Sequence, residues 1–290
     1  MGKFRGAQMK LSSISSSSKG NCILVENNNS SILVDVGISR KKAEEGLKFF
    51  GKKPENIDGI VITHEHSDHI KGLGVFLRKY QVPVYATEGT INCILNNKTV
   101  GKVDSDLFNV IKPDRDFFIK DIELLPLHIS HDAADPVCYR FFEKEKSCAV
   151  VTDLGEYDDK LVSSLQNLDA ALIESNHDVN MLQTGPYPYS LKQRIWGNKG
   201  HLSNEACGRL LNRLLSDRLK HILLGHLSEE NNYPELAYQA VRNEINFSPD
   251  KYQADNLDIR VASRVKPILI KTNILCVKKS HREVFKRRTL

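Results

Sequence analysis

Six consecutive residues, His64-Glu65-His66-Ser67-Asp68-His69, constrain this chain more than any other feature. Four of them, His64, His66, Asp68 and His69, carry imidazole or carboxylate groups, the donors that bind zinc, manganese or iron. They directly follow Gly59-Ile60-Val61-Ile62-Thr63, an apolar run that reads as a buried strand. In extended backbone, residues two apart point the same way, so His64 and His66 can face one ion. Asp68 and His69 come as the chain turns into a helix, predicted from about His69 to Tyr80, and can face a second ion. Four donors from one loop exceed what a single structural ion usually draws. The pattern therefore points to two ions side by side, and so to hydrolysis. Packing so many polar groups without compensation is costly, which argues against a merely structural cluster.

The rest of the chain narrows the setting. Its 290 residues suffice for one large domain or two small ones, and 40% hydrophobic with 27% charged content fits an ordinary globular core. No apolar run approaches the roughly 18 residues of a membrane helix, and no signal-peptide stretch precedes the first strand. Six cysteines, at positions 22, 93, 138, 148, 207 and 276, include no C-x-x-C pair. Free thiols in a reducing cytoplasm are expected, with Cys22 and Cys138 in the core. A net charge of +5 invites a nucleic-acid partner, but residues 259–290 hold ten Lys or Arg and one Glu, so the preceding 258 residues carry −4. Regular patterning begins at Met9, an alternative start. The expected organisation is an N-terminal extension over 1–8, one domain over 9–265 and a basic tail over 266–290.

Two apolar runs, Ile23-Leu24-Val25 and Ile32-Leu33-Val34-Asp35-Val36, flank Asn27-Asn28-Asn29-Ser30 and read as a hairpin. Ser39 can cap a helix over 40–50. Strands are expected at 82–86, through much of 121–152, at 170–173 and at 221–226. Leucines at 210, 211, 214, 215 and 219 form a helical stripe within 204–220. Polar candidates recur where strands end: Asp35, His64, Asp153, Glu174 and His226. Loops at one edge of a layered α/β fold converge, and active sites gather there. Any one such residue alone is more simply a cap or a loop contact. As further ligands for the two ions the candidates are His131, Asp153 and His226, Asp153 having two oxygens with which to bridge. His128 lies three residues before His131 and competes with it; His131 is preferred because it leaves the strand for the loop Asp132-Ala133-Ala134-Asp135-Pro136.

The run Thr63 to His69 resembles the H-x-H-x-D-H motif of the metallo-β-lactamase superfamily, and the order Asp35, motif, His131, Asp153, His226 is similar over about residues 10–265. The resemblance implies an α/β fold, a four-layer αββα sandwich with a dinuclear site at one edge. It implies that His64, His66 and His131 bind one divalent ion, that Asp68, His69 and His226 bind the other, and that Asp153 bridges, with Asp35 in support. All-N/O ligation suits zinc or manganese, and iron also fits.

His66 argues against the flavodiiron branch, which carries glutamate there, and residues 154–225 are too few for the inserted domain of β-CASP nucleases. Glu174-Ser175 resembles the acidic motif of the nuclease branches. Gly200-His201-Leu202-Ser203 is similar to the second histidine motif of tRNA-processing ribonuclease Z. Glu174-Ser175-Asn176-His177-Asp178, then Met181-Leu182, Gly185-Pro186-Tyr187-Pro188, Leu191-Lys192 and Arg194-Ile195, resemble the YycJ/WalJ (VicX) family. So does Ser16-Ser17-Ser18-Lys19-Gly20-Asn21, with Lys19 as an added residue. That family implies a DNA exonuclease, 5′ to 3′, acting on single strands or DNA ends. The expected catalytic residues are Asp68, His201 as general acid and Glu174 holding it; a contact with the helix cap at Ser203-Asn204 is the plainer role for His201. Asn176, His177, Tyr187, Lys192 and Arg194 are expected to meet substrate, with Tyr189 and Trp196 stacking bases and Lys199 meeting phosphate. A lid packed over the cleft and simple surface solvation explain these residues equally well. Hydrolysis of a small thioester, lactone or cyclic phosphodiester, and a metal-stabilised regulatory binding protein of cell-wall signalling, stay open at this point.

Overall fold

The computed structural model describes residues 9–263 and 266–271. Fourteen strands form two seven-stranded mixed sheets among these residues. The first sheet contains β1 (Lys10–Ser15), β2 (Cys22–Glu26), β3 (Ser31–Val34), β4 (Gly59–Val61), β5 (Val84–Thr87) and β6 (Phe108–Ile111) in that order. The second contains β7 (Phe117–Ile119), β8 (Ile122–His128), β9 (Val137–Glu143), β10 (Lys146–Val151), β11 (Ala170–Glu174), β12 (His221–Gly225) and β13 (Asp258–Val261), also in order. The chain then returns to the first sheet, where β14 (Ile268–Lys271) pairs antiparallel with β1. Within each sheet, antiparallel pairs give way to parallel ones: β3 to β6 run parallel, and so do β10 to β13.

Side-chain alternation explains the layers. Ile23, Val25, Ile32, Val34 and Val61 face inward and meet Tyr139, Phe141, Cys148, Val150 and Leu172 of the other sheet in one buried cluster. The alternate residues Leu24, Leu33 and Ile60 face outward. They are covered by α1 (Arg40–Phe49), α3 (Leu73–Tyr80) and α4 (Glu88–Asn96) through Leu47, Phe76 and Ile94. The short α2 (Ser67–Ile70) precedes α3. On the far side, Ala149, Val151, Ile173 and Leu224 pack under α5 (Asp159–Ser164), α8 (Asn204–Leu214) and α9 (Pro234–Phe247). Between α5 and α8 lie α6 (Val179–Thr184) and α7 (Tyr189–Trp196). Helix, sheet, sheet, helix is the expected four-layer sandwich. Cys22 and Cys138 are core, and the five described cysteines are free; Cys276 lies outside the described residues. Among the described residues no helix is long and apolar enough to cross a membrane.

Three expectations are corrected. The helix predicted from His69 to Tyr80 is broken between Ile70 and Leu73. Gly72 donates its N–H to Val36 O at 2.8 Å and sits so close to Ile38 that a Cβ would lie 1.8 Å from its carbonyl oxygen. The helix 204–220 ends at Leu214, because the Ser216 hydroxyl takes the N–H groups of Arg218 and Leu219; Leu219 stays buried without being helical. Residues 268–271, assigned by charge to the basic tail, instead extend the first sheet. The rest of the expected tail, and the 1–8 extension, lie outside the described residues.

One close approach sets the metal loop on the first sheet. A Cβ at Gly37 would fall 1.6 Å from Asp68 O, and that same carbonyl accepts the N–H of Asn21 at 2.8 Å. Gly37→Ala is therefore expected to lower stability by about 1–3 kcal/mol, as overpacking does, read from the midpoint of urea unfolding. A midpoint equal to the parent's would show that the contact yields freely.

Candidate metal centre

The candidate residues leave the carboxyl ends of β3, β4, β8, β10, β11 and β12, which share one edge of the two sheets. Asp35 and His226 directly follow a strand end, and Asp153 comes one residue after one, all three in left-handed backbone with φ of 60°, 55° and 60°. Non-glycine residues rarely adopt that conformation, and it persists only where surroundings impose it. Here it turns each side chain from the strand direction toward the common pocket.

Two groups of donor atoms result, each with its atoms within 4.8 Å of one another: His64, His66 and His131, and Asp68, His69, Asp153 and His226. Asp153 lies between them. Its Oδ2 is 3.1 Å from His69 Nε2, and its Oδ1 is 3.5 Å from His226 Nδ1 and 3.7 Å from His131 Nε2. A third group, Asp153, Glu174, His201 and His226, overlaps the second.

Four imidazoles are oriented in the same manner. Each has Nδ1 held from behind, which leaves Nε2 turned to the pocket. His69 Nδ1 donates to Asp35 Oδ2 (2.8 Å), His226 Nδ1 to Glu174 Oε1 (2.8 Å) and His131 Nδ1 to Gly200 O (3.1 Å). His64 Nδ1 donates to the Thr63 hydroxyl (3.0 Å), which in turn donates to Asp35 Oδ2 (2.9 Å). His64 Nε2 is buried with no hydrogen-bond partner. An orphaned, deeply buried imidazole nitrogen beside His66 and His131 is the donor arrangement a divalent cation satisfies. The residues fit the metal the sequence implies.

Electrostatics point the same way. Burial opposes charge on His226, yet Asp153, Asp68 and Glu174 push its pKa up to about 10. Burial and the neighbouring His69 drive His64 well below the ordinary histidine value. Burial works to raise Asp68, but His69 and His226 hold it well below the usual carboxylate range. Glu174, buried but paired with His201 and His226, is lowered to about 2. Burial opposes charge on His201, and Glu174 and Asp153 raise it above the ordinary value.

His201 stands beside the two groups, its Nδ1 2.7 Å from Glu174 Oε1, the oxygen that also holds His226. The helix cap is made by Ser203 instead, which accepts from Ala206 N at 3.2 Å. Glu174 Oε2 accepts from the backbone of Leu154 and Leu202, so all its hydrogen bonds are internal.

The structure separates the two competing histidines: His131 Nε2 is 3.2 Å from His66 Nδ1, whereas His128 is exposed and lines a cavity beside the loop. Asn176 and His177 are corrected. Both are buried, at 3% and 1% exposure, rather than lining an open cleft. Asn176 donates to His226 O at 3.0 Å and so holds the ligand's backbone; burial pushes His177 down to about 4. Tyr187 is half-buried, and Lys192 Nζ reaches Gln183 O at 2.8 Å within its own segment. Arg194 is exposed and forks onto Asp132. Asp132, read in the sequence only as the start of the loop after His131, was not assigned to the site. Its Oδ1 lies 3.4 Å from His131 Nε2 and 3.8 Å from His66 Nε2, at the rim of the first group. Asn21 was missed as well. Its amide is 3.3 Å from Asp68 Oδ2 and 3.1 Å from His69 Nε2, and Ser16 Oγ accepts from His226 N at 2.9 Å. The polar Ser16–Asn21 loop between two strands was the available signal.

The profile of the metallo-beta-lactamase superfamily matches residues 18–226. Exodeoxyribonuclease WalJ of Streptococcus pneumoniae is 43% identical over 236 residues, covering 81% of this chain and 88% of that one. Exodeoxyribonuclease YycJ of Bacillus anthracis is 39% identical over 233 residues, covering 80% and 88%. The chain belongs to the WalJ/YycJ family of the metallo-β-lactamase superfamily. Among solved structures, the metallo-β-lactamase fold protein YhfI of Bacillus subtilis superposes with a TM-score of 0.65 at 17% identity, over 91% of this chain and 99% of that one. That likeness concerns the fold of this family member, and its His and Asp clusters mark it as a divalent-metal protein.

Protons and cations compete for the same nitrogens. With its pKa near 10, His226 holds a proton at pH 7 that a cation at Nε2 must displace. Metal affinity is therefore expected to rise with pH between 7 and 10. Calorimetric titration with Mn²⁺ at pH 7, in two buffers of different ionisation enthalpy, should show at least one proton released per protein. A heat independent of buffer would contradict this.

Proposed function

We propose that the protein is a divalent-metal-dependent exodeoxyribonuclease that hydrolyses phosphodiesters from the 5′ end of single strands or DNA ends. One observation carries the reading: a single buried oxygen, Glu174 Oε1, holds both His226 of the metal-competent cluster and His201 beside it, at 2.8 and 2.7 Å. Hydrolysis of a simple ester with a good leaving group needs no such second histidine. A nucleotide's sugar oxygen is a poor leaving group and needs a proton as it departs. His201, kept protonated toward neutral pH by Glu174, is placed to supply it. Similarity to WalJ and YycJ, named as exodeoxyribonucleases, supports DNA as substrate.

His64, His66 and His131 would hold one ion, and Asp68, His69 and His226 the other, with Asp153 shared between them; zinc and manganese suit these donors, and iron also fits. Such ions supply Lewis acidity toward phosphoryl oxygens and make bound water acidic near neutral pH. Asp35, Thr63, Glu174 and Gly200 fix the imidazole orientations. Asn21 steadies Asp68, and burial of the Nδ1 side keeps bulk water out from behind the ligands. Tyr189 and Trp196, seven residues apart on α7, lie on one helix face with 75% and 52% exposure. They offer stacking surfaces to bases, with Arg194 at the rim for a phosphate. The free thiols fit a reducing cytoplasm.

Digestion of end-labelled single-stranded DNA and RNA, with the metal varied, tests the reading. His66→Ala and Asp68→Ala are expected to reduce DNA degradation to background while circular dichroism stays unchanged. Undiminished degradation would refute the assignment. His201→Ala should slow DNA cleavage by about 10²–10⁴-fold yet slow a p-nitrophenyl phosphodiester far less, because that leaving group departs without a proton. Equal losses on both substrates would remove His201 from proton donation. Tyr189→Ala and Trp196→Ala should each weaken single-strand binding by about 1–3 kcal/mol, measured by fluorescence anisotropy.

A further inference from the structure

Three segments bring Glu174, His201 and His226 together: the end of β11, the approach to α8 and the loop after β12. A buried set of side chains ties these segments to one another behind the centre. Asn204 and Asn232 face each other as a reciprocal amide pair. Asn232 Nδ2 donates to Asn204 Oδ1 at 2.8 Å, and Asn204 Nδ2 donates to Asn232 Oδ1 at 3.1 Å. The Ser175 hydroxyl also donates to Asn204 Oδ1, at 2.6 Å. Asn232 Nδ2 further lies 2.9 Å from Ser175 O and 3.0 Å from Asn176 O. Ser175, Asn204 and Asn232 are all buried.

Backbone bonds run alongside. Ser175 N donates to Gly225 O and Asn176 N to Leu202 O, both at 2.9 Å. Asn204 N donates to His177 O (2.9 Å) and Ser228 N to Asn176 O (2.8 Å). Glu174 immediately precedes Ser175, and His201 lies three residues before Asn204. The amide pair thus fastens the segment of the carboxylate to the segment of the histidine it holds. A carboxamide suits the task because it donates and accepts in one plane and carries no charge. A satisfied buried polar network is rigid and specifies one arrangement. The neighbouring Asn231 makes a contrast. It is equally buried, yet its side-chain oxygen and nitrogen have no hydrogen-bond partner among the described residues. Two adjacent asparagines therefore separate burial from hydrogen bonding.

The arrangement bears most on His201. Ions would also hold the imidazoles of the two donor groups, whereas His201 takes its orientation from Glu174 Oε1, 2.7 Å from its Nδ1. We propose that Asn204 and Asn232 are positioning residues for the hydrolysis: their amide pair locks the Glu174 segment against the His201 segment and so keeps His201 where it protonates the departing oxygen. The proposal rests on the reading of His201 as proton donor. Reacting groups tolerate little displacement, since a shift of about 1 Å costs on the order of 10²-fold in rate.

The test compares two substrates of the Mn²⁺-loaded protein, single-stranded DNA and a p-nitrophenyl phosphodiester, whose leaving group departs without a proton. Asn232→Ala should lower kcat on DNA by about 10–10²-fold, with KM little changed, and lower it far less on the nitrophenyl ester. In a His201→Ala background the same substitution should cost little more on DNA, because groups that act as a unit are not additive. Asn231→Ala should leave the ratio of the two rates at the parent's value. Equal slowing of both substrates by Asn232→Ala, or a loss that adds in full to that of His201→Ala, overturns the proposal. Should Asn232→Ala not fold, Ser175→Ala removes only the hydroxyl bond to Asn204 and carries the same comparison, with a smaller loss expected in the same direction. If the parent digests no DNA, or His201→Ala slows both substrates equally, the nuclease or proton-donor reading fails instead. The imidazole ¹⁵N resonances of His201 in the Zn²⁺-loaded protein then decide the positioning. A shift in Asn232→Ala but not in Asn231→Ala sustains it; resonances that stay in place, or move alike in both variants, overturn it.

Discussion

Burying several carboxylates and imidazoles in one pocket is tolerable only because they hydrogen-bond one another. Asp35, Asp153 and Glu174 are exposed by 2%, 2% and 0%. Each would be prohibitively costly alone. Asp35 accepts from Thr63 N, Thr63 Oγ1 and His69, and Glu174 from His201, His226, Leu154 N and Leu202 N. These bonds orient the histidines and set their charge at the same time. Removing one carboxylate would free two imidazoles at once, so orientation and electrostatics cannot be separated in this centre.

The sheets make that concentration of charge possible. Parallel strands β3 to β6 and β10 to β13 end at one edge, and the left-handed residues at their ends aim inward. Asp35 after β3 and Asp153 after β10 occupy matching places in the two sheets, with equal φ. One supports from behind and the other faces both donor groups. The three apolar clusters hold the layers rigidly enough for such strained positions to persist. The Ser16–Asn21 loop then closes the centre, since Asn21 reaches Asp68 and Ser16 reaches the backbone of His226.

Much of this was readable in the chain. The continuous apolar runs 23–25 and 32–36 around an Asn-rich turn marked a hairpin, and Ser39 and Ser203 sit at the helix starts they cap. Two of the failures share a cause. The break at Gly72 and the pairing of β14 depend on backbone groups far away in sequence, which periodicity does not register, whereas the early end of α8 is set locally by the Ser216 hydroxyl. Asn176 and His177 read as polar loop residues suited to a cleft, but the His226 backbone and neighbouring loops cover them.

The sequence by itself determined which donor types are present, that four of them share one loop after a buried strand, and that others wait at later strand ends. Those facts are local, set by side-chain chemistry and by the two-residue repeat of extended backbone. Only the tertiary structure decided that His131 rather than His128 meets His66, that one oxygen of Glu174 serves both His201 and His226, and that Asp132 and Asn21 border the centre. Each of those outcomes depends on ångström-scale distances between segments far apart in the chain. Such distances are fixed by how the two sheets pack, and spacing along the chain carries no measure of them.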